Sequence, residues 1–402
     1  MVIKTRRPGI PITEIEHSAF CKSEDELPAR PLAEELAVNI RWQKIPDQYL
    51  GSSAEELDER IRRVRKHLGK SVTILGHHYQ REEVIKHADF QGDSFLLSQE
   101  AASLPDASFI VFCGVHFMAE TACILCAPHQ KVVLPNLTAG CSMADMAPMD
   151  EVEDAWEDLE RVLGDPGGIV PVTYMNSTAG IKALCGRTGG AVCTSSNAAA
   201  VMKWGFQQAG RILFLPDQHL GRNTGLTLGI SLDEMVVWNP FRRLGGNTPD
   251  QLRQAKLILW QGHCSVHTRF MVGQIQAARD RYSDINVIVH PECTMETVQA
   301  ADLVGSTEFI RKTINEAPPG TKWAVGTEIS LVHRLALNNP DKVVFCLDPV
   351  TCPCSTMYRI HPAYVLWVLE GLAEGQVVNQ ITLPENIRVE AQVALERMLA
   401  LK

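Results

Sequence analysis

Residues 168–178, GIVPVTYMNST, pass from a short apolar run straight into a polar loop, and the same construction recurs at 72–80, VTILGHHYQ, and at 286–293, NVIVHPEC. Apolar runs this short and this uniformly hydrophobic read as strands covered on both faces, the habit of parallel sheets. Working outward from them, the chain falls into three groups of four such runs. The first is Val72–Leu75, a weak element near Ala88–Gly92, Phe109–Phe112 and Lys131–Leu134. The second is Gly168–Val172, Ala191–Thr194, Arg211–Leu215 and Lys256–Leu259. The third is Asn286–Val289, Ala301–Val304, Lys322–Val325 and Lys342–Phe345. Helical stretches intervene, among them Glu151–Leu163, Ser196–Gln208 and Ser330–Leu337, and a charged amphipathic helix over Ala54–Leu68 comes first. Strands alternating with helices predict an α/β fold, with short parallel sheets and right-handed crossovers in three pseudo-symmetric units. The expected boundaries are 52–165, 166–282 and 283–364, with C-terminal helices over 365–402 packing on the first unit. Residues 1–51 lack periodicity, carry Pro8, Pro11, Pro28 and Pro31, and read as an extension.

Matching strands end in matching chemistry. First strands lead into His77-His78-Tyr79-Gln80, Tyr174-Met175-Asn176-Ser177-Thr178 and His290-Pro291-Glu292-Cys293. Second strands run into Gly92-Asp93-Ser94, Thr194-Ser195-Ser196-Asn197 and Gly305-Ser306-Thr307. Fourth strands lead to one cysteine each, Cys141, Cys264 and Cys354, in loops of Gly, Ser or Pro. Ligands in open α/β sheets bind beyond the carboxyl ends of the strands. Three such edges meeting at a pseudo-threefold axis would surround one central cavity with three cysteines and a ring of polar groups.

With 402 residues, 45% hydrophobic and 21% charged, the chain has the composition of a globular protein of two or three domains. A net charge of −9 and the lack of any basic tract exclude general nucleic-acid binding. No apolar run is long enough to cross a bilayer, and Met1 to Arg7 is not followed by a signal-peptide core, so a cytoplasmic protein without membrane contact is expected. In a reducing compartment twelve cysteines are thiols or metal ligands before they are disulfides. Cys113, Cys123, Cys126, Cys193 and Cys346 lie in apolar surroundings and read as buried small hydrophobes.

Three thiolates lack the fourth ligand of a structural zinc site. They can hold three irons of a cubane cluster and leave the fourth iron open as a Lewis acid. Ser94, Ser195, Ser306 and Thr307 stand where strands give way to helix N-termini, whose free N–H groups suit carboxylate or phosphate; ordinary capping is the plainer alternative. His77, Tyr79, His267, His290 and Glu292 supply acid–base groups, and Tyr174 and Asn176 can orient a substrate carboxylate or phosphate. His87, His129 and His361 read as structural. The same residues leave two alternatives open: a mononuclear zinc or iron hydrolase on His77, His290 and Glu292, and a non-catalytic iron–sulfur sensor.

Taken together and in order, these segments, with Gly114 to Glu120 (GVHFMAE), Cys141 to Asp145 and Gly262 to His267, resemble the quinolinate synthase family from about Ile74 to about Met357. The resemblance implies three α/β/α domains in a triangle, a 4Fe–4S cluster where they meet, and condensation of iminoaspartate with dihydroxyacetone phosphate to quinolinate, with loss of phosphate and two waters. It implies Cys141, Cys264 and Cys354 as cluster ligands. Substrate-binding or catalytic positions would be His77, Tyr79, Ser94, Tyr174, Asn176, Ser195, His290, Glu292, Ser306 and Thr307, with His267 close by. An enzyme that oxidises L-aspartate is the family's usual supplier of iminoaspartate and so an implied transient partner. The segment before about Ser52 falls outside the resemblance, and the stretch Leu184–Ala191 is longer than the family's compact form. Cys352 stands two residues from Cys354; the latter is taken as the ligand because it precedes Met357 by three residues, as the family's last ligand does.

Overall fold

The computed structural model describes residues 16, 18–21, 29–104, 106–164 and 168–401; Pro8, Pro11 and Pro28 of the expected extension lie outside the described residues. Strands β1 (Val72–His77), β2 (Phe90–Gly92), β3 (Phe109–Cys113) and β4 (Lys131–Val133) form a sheet in the order β2-β1-β3-β4. A second sheet contains β5 (Val170–Tyr174), β6 (Ala191–Cys193), β7 (Ile212–Leu215), β8 (Met235–Trp238) and β9 (Leu257–Trp260), ordered β6-β5-β7-β9-β8. The third, from β10 (Ile285–Val289), β11 (Leu303–Val304), β12 (Lys322–Gly326) and β13 (Val343–Cys346), is ordered β11-β10-β12-β13. Every strand pairing is parallel. The α/β class with three short parallel sheets expected from the sequence is therefore the one observed.

All three sheets use one permutation: the first strand of each lies between its second and third. The chain moves one way to the second strand and the other way to the third, so the loop leaving each first strand sits where the strand order reverses. That is where open α/β sheets bind ligands. Strands β5, β7 and β9 are buried along their whole length, as their apolar runs require. Val172, for example, is flanked by Ala191 on one side and Phe214 on the other.

Strand β8 is an addition to the four-strand plan. Its run MVVW is half-buried at the edge of the second sheet, and four apolar residues carry too little periodicity to separate an edge strand from a buried turn.

The two C-terminal helices go to different units. Pro362–Ala373 packs on Ala54–Leu68 of the first, and there Glu370 receives Arg60 at 2.9 Å and the Tyr49 hydroxyl at 2.8 Å. Glu385–Ala400 lies along Ala179–Arg187 of the second unit. The approach is close because position 186 is glycine: a Cβ there would overlap the carbonyl oxygen of Glu390. Gly186→Ala should therefore cost about 1–3 kcal/mol of stability, read as a lower denaturant midpoint at unchanged slope.

Of the histidines read as structural from the sequence, His361 and His87 are so placed, while His129 is exposed in a turn. His361 caps the helix Pro362–Ala373 through Ala363 N–H (3.1 Å) and meets Arg30 O (2.9 Å), and His87 lies 3.1 Å from Asp58. Among the described residues no helix is long and apolar enough to cross a membrane.

Candidate active site

The three reversal points face one shared cavity. The first unit contributes His77, Tyr79, Ser94 and Cys141 to its wall; the second contributes Tyr174, Asn176, Ser195, Cys264 and His267; the third contributes His290, Glu292, Thr307 and Cys354. Apolar groups including Val115, Phe117, Met118 and Met357 fill the spaces between them. Among the described residues, no lysine or arginine lines the cavity. Of the positions singled out in the sequence, Ser306 is not among the cavity-lining residues. Its hydroxyl accepts the N–H of Phe309 at 3.3 Å as the N-cap of helix Thr307–Glu316, which is ordinary capping. The unit boundaries are also pinned beside the cavity, where Ser196 of the second unit donates to Asp93 of the first at 2.8 Å.

Glu292 is the centre of the polar network. Its Oε2 lies 2.7 Å from His267 Nδ1, and its Oε1 is 3.9 Å from His290 Nδ1, with both carboxylate and imidazoles buried. The His267 and His290 rings stack with centroids 4.4 Å apart. Burial opposes a charge on Glu292, but the two histidines and hydrogen bonds from His267 and Tyr174 outweigh it and hold the carboxyl down at about 2. Tyr79 and Tyr174 are driven well above the ordinary phenol range, first by burial and then by the Glu292 charge, so both remain proton donors. Burial, followed by the neighbouring His78 and His290, keeps His77 neutral, and burial with His267 depresses His290 to about 3.

The tautomers follow from the backbone. Tyr79 N–H donates to His77 Nδ1 at 3.1 Å, and Glu292 N–H to His290 Nδ1 at 3.4 Å. Each neutral ring must then carry its proton on Nε2.

Thr327 was not found from the sequence. Its hydroxyl is 2.7 Å from Tyr79 Oη and 3.2 Å from His267 Nε2, and Thr307 adds a hydrogen bond to Tyr79 Oη at 3.2 Å. Its sequence signal is its place just after the third strand of its unit, β12.

The three cysteines share a local design. Cys141 is the N-cap of the turn Ser142–Asp145 and Cys354 of the turn Ser355–Tyr358, while the Cys264 carbonyl accepts Thr268 N–H at 3.1 Å. Backbone N–H groups consequently face the sulfurs: those of Ala144 and Met143 at Cys141, of His267 at Cys264, and of Met357 and Thr356 at Cys354. Burial pushes all three thiols up, so they ionise only if a cation arrives with them. Sulfurs ringed by amide donors suit iron–sulfur ligation.

Spacing separates the metal readings. Among the described residues the group whose ligand atoms all fall within 4.8 Å of one another is Cys264, His267 and Glu292. The three sulfurs do not meet that distance as a set, so one ion would not take all three, whereas separate irons of one cluster could. Nor do His77, His290 and Glu292 meet it, so the mononuclear hydrolase on that particular triad lacks geometric support.

Cys352 has a different partner, for it forms a disulfide with Cys21, and Arg269 Nη1 lies beside both sulfurs. The described residues thus hold one disulfide and ten free cysteines. Phe20 packs next to that bridge on Tyr358, with ring centroids 4.8 Å apart.

A family model described as Quinolinate synthetase A protein matches residues 59–400. The protein named quinolinate synthase of Corynebacterium glutamicum is 57% identical over 360 residues, 90% of this chain and 91% of that one. Its namesake in Herpetosiphon aurantiacus is 54% identical over 365 residues, 90% and 97% of the two chains. A third, from a Nocardioides species, is 53% identical over 384 residues, 94% and 97%.

Proposed function

This chain belongs to the quinolinate synthase family and is an enzyme, and from that premise we propose that it condenses iminoaspartate with dihydroxyacetone phosphate to quinolinate, releasing one phosphate and two waters. The observation that carries the reading is the single cavity in which each unit contributes one free cysteine and a set of acid–base or hydrogen-bonding groups. Cys141, Cys264 and Cys354 would hold a 4Fe–4S cluster. When bound, that group supplies a Lewis acid for loss of a hydroxyl as water.

The chain's own residues do the rest. Both substrates are anions, yet among the described residues no cationic side chain lines the cavity. Neutral donors must receive them: the Nε2–H groups of His77 and His290, the amide of Asn176, the phenol of Tyr174, and the hydroxyls of Ser94, Ser195 and Thr307 beside helix N-termini. Glu292 takes protons from carbon and exchanges them with His267, 2.7 Å away. Tyr79, fixed by Thr307 and Thr327, gives a proton to oxygen as it leaves. The apolar wall of Val115, Phe117 and Met118 keeps bulk water from a hydrolysable imine. Because that imine decays in water, close supply by an enzyme that oxidises L-aspartate is part of the proposal, as is a cytoplasmic setting.

The test is anaerobic purification, iron and sulfide analysis, and an assay with both substrates. Roughly four irons per chain with quinolinate formed is the expected result. A colourless, zinc-loaded protein that makes no quinolinate would overturn the reading.

A further inference from the structure

In each of the three reversal-point loops, one side chain holds the two carbonyls that flank a single site residue. Arg334 donates from Nη1 to His78 O at 3.0 Å and from Nη2 to Gln80 O at 2.7 Å, straddling Tyr79. Lys182 Nζ donates to Met175 O at 2.9 Å and Ser177 O at 2.5 Å, straddling Asn176. Asn223 Nδ2 donates to Pro291 O and Cys293 O, both at 2.9 Å, straddling Glu292. The donors come from the helices Ile329–Asn338, Ala179–Arg187 and Gln218–Thr227. Two of them reach across a unit boundary: Arg334 from the third unit to the first, and Asn223 from the second to the third.

None of these groups lines the cavity. Two of them are also costly to place. Lys182 is wholly buried, and the bonds its ammonium makes go to neutral carbonyls, an arrangement that packing alone would not favour. Asn223 leaves its own Oδ1 buried without a hydrogen-bond partner. Turning its amide over would set that oxygen against two carbonyl oxygens, so the orientation has no alternative.

We propose that Arg334, Lys182 and Asn223 are positioning residues, each fixing the backbone on both sides of one site residue so that Tyr79, Asn176 and Glu292 are aimed at the same point of the cavity. The proposal rests on the reaction assigned above for its kinetic part. Displacing a reacting group by about 1 Å costs on the order of 10²-fold in rate, which sets the expected effect.

Asn223→Asp tests it with almost no change in shape, because a carboxylate cannot donate to the two carbonyls. In the otherwise native enzyme kcat should fall about 10²-fold with KM nearly unchanged. In a Glu292→Gln background the same change should cost less than about 3-fold, since a clamp that acts through Glu292 has nothing further to lose. An equal loss in both backgrounds would overturn the proposal. If Asn223→Asp does not fold, Arg334→Lys replaces it: an ammonium held at the end of a thinner stem reaches one carbonyl of the pair, and Tyr79→Phe is the matching background, judged by the same comparison. Hydrogen exchange reads the clamp without reference to any reaction. Faster exchange confined to the His290, Glu292 and Cys293 amides in Asn223→Asp supports it, and unchanged exchange there sinks it. A native enzyme that makes no quinolinate would instead count against the assigned reaction, leaving exchange to decide on the clamp.

Discussion

Glu292→Gln lowers kcat for quinolinate formation by about 10²–10⁴-fold, the range for loss of a positioned general base, while bound iron stays at its native level. Glutamine keeps the size of the side chain and can still face His267 Nδ1, now 2.7 Å from Oε2. What it loses is the ability to hold a proton taken from substrate. The environment makes the loss specific. His267, His290 and Tyr174 together keep Glu292 ionised despite its burial, and among the described residues no other carboxylate stands at that position of the cavity wall, Asp93 lying in the first unit. The measurement is anaerobic kcat alongside iron content. A loss below about 10-fold would reduce Glu292 to a support for His267 and return the base role to another group. Loss of iron together with activity would assign the carboxylate to metal binding, a role its closeness to Cys264 and His267 makes geometrically open.

Cys141→Ala, Cys264→Ala and Cys354→Ala should each remove the brown chromophore, drop iron from roughly four per chain to near zero and abolish turnover. Cys352→Ala should do none of these. The four cysteines differ in surroundings rather than in residue type. The first three are free and line the cavity, with backbone amides directed at their sulfurs; the sulfur of Cys352 is engaged with Cys21. Alanine in place of a buried free thiol costs about 1 kcal/mol, too little to unfold the chain, so circular dichroism should be unchanged in Cys141→Ala, Cys264→Ala and Cys354→Ala. Iron retained in Cys354→Ala and lost in Cys352→Ala would exchange the two assignments.

Much of this was legible in the sequence, and for a definite reason. A buried parallel strand writes itself as a compact apolar run, and a functional loop follows it at once, so a threefold repeat of the pair carried both the sheets and most of the cavity wall. His77, Tyr174 and Glu292 are read in that way. What escaped reading depends on contacts between residues distant in sequence. Strand β8 was too short to register, and the last helix found its place through one glycine, Gly186, that allows close packing. Ser306 and Thr307 are adjacent and chemically alike, yet only Thr307 faces the cavity; which of two neighbours turns inward is set by the helix that begins there. Thr327, Arg334 and Asn223 act on partners in other segments through single hydrogen bonds or backbone carbonyls, and a carbonyl acceptor leaves no trace in residue identity. The Cys21–Cys352 pair, 331 residues apart, is equally silent in one dimension.

The distribution of Cys141, Cys264 and Cys354 over three units sets a timetable for biogenesis. Roughly two hundred residues separate the first of them from the last, and a ribosome adding about 5–20 residues per second takes roughly 10–40 s to cover that interval. During it the first thiol is already synthesised and the third does not yet exist. The three cysteines proposed as cluster ligands are not all present on the nascent chain until Cys354 has been added. On the proposed cluster reading, metal loading follows synthesis of the third unit rather than of the first.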